Sequence, residues 1–216
     1  MKSLSILSAA LTGFLAGPVM ADVQTYSILL GHRVLGSLVF EGQGSDETLL
    51  LTLDHTPFGL EDGTFKATTQ TLDETTYYLG ESRGSETRDI AITRKADVVK
   101  SVTITPQSEM TELSEPGRVP AGVLTPTEFL AALQDAGTCP SSLAVYDGRR
   151  VAQITAISSK LDGDLLTCDL SYRVVMGPGY MSPFHFKSFG MQLAYKGRNL
   201  DSIVMNGGGF EVSLIH

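Results

Sequence analysis

Residues 26–40 read YSILLGHRVLGSLVF and predict a β-hairpin. Apolar residues alternate with small or polar ones on both sides of a Gly31-His32 pair. A period of two is typical of a strand with one buried face, whereas a helix repeats its apolar positions every three or four residues. Because glycine favours a tight turn, the two arms are expected to fold back on each other.

The same period recurs on both sides of this hairpin, between turn-forming residues. Predicted strands cover 26–30, 34–40, 49–53, 64–70, 75–79, 89–93, 98–104, 143–146, 149–157, 165–176, 184–195, 201–205 and 210–215. Asp147-Gly148, between two of them, is a strong hairpin signal. The pattern predicts a mainly β fold, a curved antiparallel sheet or incomplete barrel, with one helix packed against its concave side.

One segment departs from this pattern and predicts a helix over 125–136. Thr125 suits the N-cap position, Pro126 suits the first helical position, and Glu128 completes a capping box. Gly137 predicts the end of the helix, because glycine readily takes a left-handed conformation.

Residues 1–21 predict a signal peptide. Lys2 precedes an apolar run, 4–15, that is too short to span a bilayer as a helix. The segment 19–21 has the small or branched residues that signal peptidase accepts, so cleavage is expected after Ala21. We therefore expect an exported, soluble, periplasmic protein without a membrane anchor in the mature chain.

Residues 22–216 are expected to form a single β-rich domain with a surface loop at 106–120, where prolines and glycine interrupt the pattern. A hydrophobic share of 42% is ample for a core.

The chain carries 24 acidic and 16 basic residues. This charge argues against a nucleic-acid partner and against attraction to anionic lipid surfaces.

The two cysteines, Cys139 and Cys168, predict one disulfide, since an even pair in an oxidising compartment is most simply bonded. No histidine lies within a few residues of either thiol, which argues against a metal site there.

Tyr146, Asp147, Arg149 and Arg150 form the densest polar cluster. Two guanidiniums at a turn could hold a carboxylate or phosphate. The structural alternative, which we favour, is that strand alternation sends the two arginines to opposite faces. One would then pair with Asp147 or Asp169, and the other would lie in solvent.

The segment 176–186 is apolar and rich in glycine and proline. If exposed, it would be a contact surface for an apolar ligand or a protein partner. The alternative, which we favour, is that it covers an open end of the sheet as core lining. Its candidate contact residues are Met176, Tyr180, Met181, Phe184 and Phe186.

No catalytic motif is visible in the sequence. The histidines, His32, His55, His185 and His216, lack the spacing of metal ligands, so no metal or other cofactor is expected. There is no Gly-x-Ser-x-Gly elbow, and the glycines at 207–209 precede a strand rather than a phosphate-binding helix. A serine–histidine–aspartate site assembled from distant segments stays open.

The segment 124–176 resembles an uncharacterised exported proteobacterial family, domain of unknown function 3108. The likeness is carried by Leu124-Thr125-Pro126, Phe129-Leu130, Leu133, Cys139-Pro140, Val145-Tyr146-Asp147-Gly148-Arg149-Arg150, Leu166-Thr167-Cys168 and Tyr172, with a weaker likeness over 26–36. Members often carry an acidic residue soon after the arginine pair, where this chain has Val151-Ala152-Gln153. The resemblance implies an envelope location and a barrel-like antiparallel sheet with a helix, and it implies no reaction.

The function predicted from these observations is non-enzymatic binding of an apolar ligand or lipid chain in envelope maintenance. One alternative is a protein-interaction factor of the cell envelope that uses the 176–186 loop. The second is a hydrolase with a dispersed site. A cavity of several hundred Å³ would favour ligand binding, a filled barrel would favour protein interaction, and a serine or aspartate bonded to a histidine would favour hydrolysis.

Overall fold

The computed structural model describes residues 22–43, 45–54, 56–57, 62–179 and 186–216. The predicted signal peptide at 1–21 lies outside this part of the chain. Within it, no helix is long and apolar enough to cross a membrane.

The described chain forms one antiparallel sheet of 13 strands that does not close into a barrel, which confirms the predicted fold class. The strands are β1 (Asp22–Leu30), β2 (Arg33–Gln43), β3 (Asp46–Leu53), β4 (Gly63–Leu72), β5 (Thr75–Arg83), β6 (Thr87–Lys95), β7 (Val98–Thr105), β8 (Ser142–Tyr146), β9 (Val151–Asp162), β10 (Leu165–Met176), β11 (Ser188–Lys196), β12 (Asn199–Gly207) and β13 (Phe210–Ile215). Their order in the sheet is β7-β6-β5-β4-β3-β2-β1-β13-β12-β11-β10-β9-β8. The N- and C-terminal halves therefore meet where β1 pairs with β13, and β7 and β8 are the outermost strands.

The gap between β7 and β8, which we call the seam, is spanned by residues 106–124, which we call the strap. The strap contains three short 3₁₀ turns, at Gln107–Glu109, Glu112–Ser114 and Pro116–Arg118. At its far end, the Gly122 N–H donates to the Asp97 carbonyl beside β7, and the Leu124 N–H donates to Ala144 on β8. The strap is thus bonded to both sides of the seam, and it is more ordered than the surface loop expected at 106–120.

The helix α1 (Pro126–Ala136) lies inside the curve of the sheet. It contacts β3 and β4 on one side and β8 and β12 on the other. Leu130 and Leu133 are buried on its inner stripe. The Tyr195 hydroxyl donates to the Leu133 carbonyl at 2.8 Å, and burial, with a smaller effect of Tyr26, raises the pKa of Tyr195 to about 12.

Polar contacts fix the N-terminus of α1 against β4 and β6. Thr125 and Glu128 form the predicted capping box, and the hydroxyl of Thr69 on β4 lies 3.2 Å from that of Thr125. Arg94 on β6 forms an ion pair with Glu128 in which both side chains are largely buried. The helix ends at Gly137 with φ 52°, in the left-handed region.

The helix lies near one end of the strands, the helix end, where Leu72 and Lys196 terminate β4 and β11. We call the opposite end, which carries Leu30, Leu53 and Met176, the loop end.

The face of the sheet toward α1, the inner face, is apolar from strand to strand. One row runs in register across six neighbouring strands, so its side chains share this face. The row consists of Leu30, Val212, Met205, Met191, Leu170 and Ala156. The buried members of this row join a single core cluster with the inner stripe of α1.

Cys139 and Cys168 form a disulfide with their Cα atoms 5.5 Å apart. The bond joins the chain just after α1 to the middle of β10, and Cys168 is fully buried.

Candidate functional site: a cleft at the seam

The turn between β8 and β9 is wider than the sequence suggested, because β9 begins only at Val151. Asp147 organises it: one carboxylate oxygen accepts the backbone N–H groups of Arg149 and Arg150, each at 3.0 Å. Arg149 and Arg150 therefore belong to a turn, and the predicted alternation between sheet faces does not apply to them.

Arg150 is the more buried of the two arginines. Its Nε lies 2.9 Å from the Asp147 carboxylate, and its Nη1 donates to the Gly179 carbonyl. The pairing with Asp147 was one of the two predicted. Asp169, the other candidate, instead accepts from Gln192 and Ser158 on the outside of the sheet, and these hydrogen bonds lower its pKa.

The prediction that the second arginine lies in solvent is wrong. Arg149 Nε donates to the Glu109 carbonyl at 2.9 Å, and its Nη2 lies 3.0 Å from the Glu109 carboxylate. The side chain is only 18% exposed because the strap, which contributes Glu109, folds over it.

Strap and turn are joined by further hydrogen bonds from buried or half-buried hydroxyls. Thr111 donates to the Arg149 carbonyl at 2.9 Å and Ser114 to the Gly148 carbonyl at 3.1 Å. The Tyr146 hydroxyl points at the carbonyl oxygens of Leu113 (2.5 Å) and Gly148 (3.0 Å). Burial, reinforced by the charge of Asp147, raises the pKa of Tyr146.

The turn also reaches across the seam to β6 and β7. Gly148 has φ 92°, and a Cβ placed on it would lie 2.7 Å from Ile90 Cγ2 and 3.8 Å from Ile104 Cδ1. Only glycine allows this approach without displacing neighbours. At the loop end, therefore, the turn packs against side chains of β6 and β7 across the seam.

A cleft of about 390 Å³ opens beside the turn. The strap supplies one wall and the end of β10 with the following residues supplies the other; the lining residues are Thr111, Glu112, Leu113, Met176, Gly177 and Pro178. Gly177 packs on the turn so closely that a Cβ would lie 2.5 Å from the Arg149 carbonyl oxygen. Both walls therefore rest on the same turn, which supports the cleft.

The structure thus places Met176, from the predicted apolar loop, next to the predicted polar cluster. Phe186 is half-buried and sits against the β12–β13 turn, where a Cβ on Gly208 would lie 2.5 Å from its ring. Tyr180, Met181 and Phe184 lie outside the described residues.

Tyr172 and Phe189 form an aromatic pair that is not among the predicted site residues and does not line the cleft. Their rings stack on the inner face at the loop end, with centroids 4.2 Å apart, and both remain half-buried. Strand alternation places Tyr172 on the same face as Leu170, so the sequence pattern alone could have predicted that Tyr172 lies on the inner face.

The remaining chemistry of the site is sparse. In the part of the chain that the structure describes, no group of three or more His, Cys, Asp or Glu residues could hold a metal ion. His32 and His216 are exposed, whereas His55 and His185 lie outside the described residues. The dispersed-site hydrolase stays a prediction.

Comparison with solved structures finds a similar fold in the "Beta-barrel-like Protein of Domain of Unknown Function DUF1849 from Brucella abortus". The two chains are 14% identical, the TM-score is 0.51, and the match covers 90% of this chain and 94% of that chain. No protein-family model matches the chain, and no curated protein does. The likeness supports an uncharacterised β-barrel-like architecture and does not single out domain of unknown function 3108.

Proposed function

We propose that this protein binds an apolar ligand, such as a lipid chain, in the seam cleft, and that it does so without catalysis. The cleft volume of about 390 Å³ carries the proposal, because it lies within the range of roughly 300–1,000 Å³ typical of small-molecule sites. Leu113, Met176 and Pro178 give the walls apolar surface.

The inner face supports the same function. Near the loop end several of its apolar side chains are only partly buried; they include Leu30, Leu53, Phe65, Tyr172, Met205 and Val212. Incompletely buried apolar surface on a concave face is suited to an apolar ligand.

We place this activity in the periplasm, in envelope maintenance. The predicted leader at 1–21 and the disulfide support export, because structural disulfides persist in oxidising compartments. On this proposal, residues 22–216 act as a single domain, and the chain belongs with the family that it resembles in sequence, domain of unknown function 3108.

A fluorescent fatty acid tests the binding proposal. Dansylaminoundecanoic acid should bind the mature protein saturably, and Met176→Glu should weaken binding about tenfold or more, since a carboxylate would enter an apolar wall. Met176 is 37% exposed, so the variant should fold. Leu79→Glu is the matched control, because Leu79 is 55% exposed on the outer face of β5. Absence of binding, or equal losses in the two variants, would contradict the proposal.

Exposed apolar side chains at the same place favour one second candidate, a protein-interaction surface. Met110 precedes the lining residues of the strap and is 41% exposed, and Val175 precedes Met176 and is 48% exposed. Native mass spectrometry of protein purified gently from a periplasmic extract separates the two. A retained adduct of a few hundred daltons supports ligand binding, whereas a retained polypeptide supports interaction.

A further inference from the structure

Arg88 is a charged residue on the apolar inner face of the sheet. It alternates along β6 with Ile90 and Ile92, both of which are buried in the core, so it points to the same side. In the register of the strands it lies opposite Ser82, which lies opposite Phe65, which lies opposite Leu51. A guanidinium therefore stands at the end of a row that crosses the inner face at the loop end and is apolar at Phe65 and Leu51.

This guanidinium has unused hydrogen-bonding capacity. Its Nη2 lies 2.7 Å from Glu109 Oε2, yet that oxygen accepts no aligned hydrogen bond from any described residue. Arg88 Nε is buried and has no hydrogen-bond partner in the described chain. Nε itself is buried, but the Arg88 side chain as a whole is 26% exposed, so an anion can approach its exposed part. A buried donor without an acceptor is costly, so the contact with Glu109 does not fully satisfy this guanidinium.

The charges around Arg88 are not balanced. Glu109 is shared by Arg88 and Arg149, at 2.7 and 3.0 Å, while Asp147 is engaged by Arg150. Three guanidiniums thus face two carboxylates. Burial lowers the pKa of Arg149 most, the neighbouring Arg88 lowers it further, and Glu109 opposes them. Glu112, which lines the cleft, and Glu115 lie beside Arg118, and all three side chains are more than half exposed, so salt screens their charges.

The cluster adjoins the strap wall of the cleft, although none of its three arginines lines the cleft. Glu109 lies two residues before Thr111, the first lining residue of the strap, and Arg149 holds Thr111 through its carbonyl. We propose that the ligand is an amphiphile with an anionic head group, a carboxylate or a phosphate, that Arg88 binds the head, and that the tail lies on apolar surface. This inference rests on the proposed ligand binding and names the ligand class.

Comparing an acid with its ester tests the inference. Dansylaminoundecanoic acid should bind the mature protein about tenfold more tightly than its methyl ester, because a charge-assisted hydrogen bond is lost in the ester. Arg88→Met should remove this preference and leave the affinity for the ester unchanged. Arg83→Met is the control of equal charge; Arg83 is 45% exposed and pairs with Glu81 and Asp89, so the preference should persist.

Arg88→Lys guards against a merely structural effect of removing the side chain. It keeps the positive charge and should retain most of the preference for the acid, whereas a loss equal to that in Arg88→Met would contradict the head-group role. Displacement of the probe by dodecanoate and by lauroyl lysophosphatidate distinguishes two sources of the anion. Stronger displacement by dodecanoate identifies a fatty acid, and stronger displacement by lauroyl lysophosphatidate identifies a phospholipid. Equal displacement by dodecanol would overturn the inference.

The two proposals fail in different ways. If the acid and the ester bind the wild-type protein equally, the head-group inference is wrong and apolar binding stands. If neither probe binds, the proposed function is wrong and the inference falls with it.

Discussion

Arg149 and Arg150 are adjacent in sequence, and both are held by carboxylates, but by different kinds of contact. Arg150 is 9% exposed and is the ion-pair partner of Asp147 within its own turn. Glu109, in contrast, has both Arg149 and Arg88 within 3.0 Å. Removing the Arg150 side chain therefore leaves the Asp147 carboxylate without its cation, whereas removing that of Arg149 leaves Glu109 with its second cation.

We expect Arg150→Ala to lower the free energy of unfolding by about 3 kcal/mol, and Arg149→Ala by about 1 kcal/mol. Thermal melts should separate the two variants by several degrees, since 1 kcal/mol corresponds to roughly 2–4 °C in a chain of this size. Arg118→Ala, at a site that is 58% exposed, is the control and should change stability by less than about 0.5 kcal/mol. Equal shifts of the melting temperature for Arg149→Ala and Arg150→Ala would show that the ion pair between Asp147 and Arg150 adds no stability beyond that of the Arg149 contacts.

At the scale of the elements, side-chain contacts at its N-terminus help to fix α1 against the sheet. Thr125 accepts from the Glu128 N–H at 3.4 Å, and its hydroxyl also lies 3.2 Å from that of Thr69 on β4. Thr125→Ala removes the cap and one member of a buried hydroxyl cluster. We expect the free energy of unfolding, measured by chemical denaturation, to fall by about 1–2 kcal/mol. Thr125→Ser keeps the hydroxyl and should lose less than half as much; an equal loss would assign the effect to the methyl group.

The helix and the strands could be predicted because their signals are local. The capping box at Thr125 and Glu128 and the period-two alternation need only a few neighbouring residues. The strap could not be predicted, since its order comes from partners far along the chain. The Thr111 hydroxyl donates to the carbonyl of Arg149, 38 residues away, and Arg88 on β6 contacts Glu109 of the strap. The cleft could not be predicted for the same reason, although the sequence marks Met176, Arg149 and Arg150 individually as candidates.

At the scale of the whole molecule, the disulfide ties α1 to the sheet. It joins residues separated by 29 positions, and a loop of that length gives about 3.5 kcal/mol in the chain-entropy model. In the double variant Cys139→Ser/Cys168→Ser, the free energy of unfolding in urea should fall by about 2–4 kcal/mol. This variant has no free thiol that could cross-link. Alkylation of the unreduced mature protein should modify neither cysteine, and labelling of both would refute the pairing.

The seam is the second feature of the whole molecule that can be tested, because the sheet leaves β7 and β8 unpaired with each other. If the β8–β9 turn closes the loop end, contact of Gly148 with β6 should matter more than its backbone conformation. Gly148 and Gly163 both have positive φ, 92° and 63°. A Cβ on Gly148 meets Ile90 Cγ2 at 2.7 Å, whereas a Cβ on Gly163 meets nothing within 4 Å.

Gly163→Ala should therefore lower the free energy of unfolding by only about 1 kcal/mol, the strain of an alanine in the left-handed conformation. Gly148→Ala carries that strain and also pushes the turn away from Ile90, so we expect a loss of about 2–4 kcal/mol. Hydrogen exchange adds a readout that strain alone would not give. In Gly148→Ala, amides of the strap around Thr111–Ser114 should lose protection, because their side-chain bonds to the turn are broken, while Gly163→Ala should leave them protected. Equal stability losses with an unchanged strap would mean that the seam is held by the strap alone.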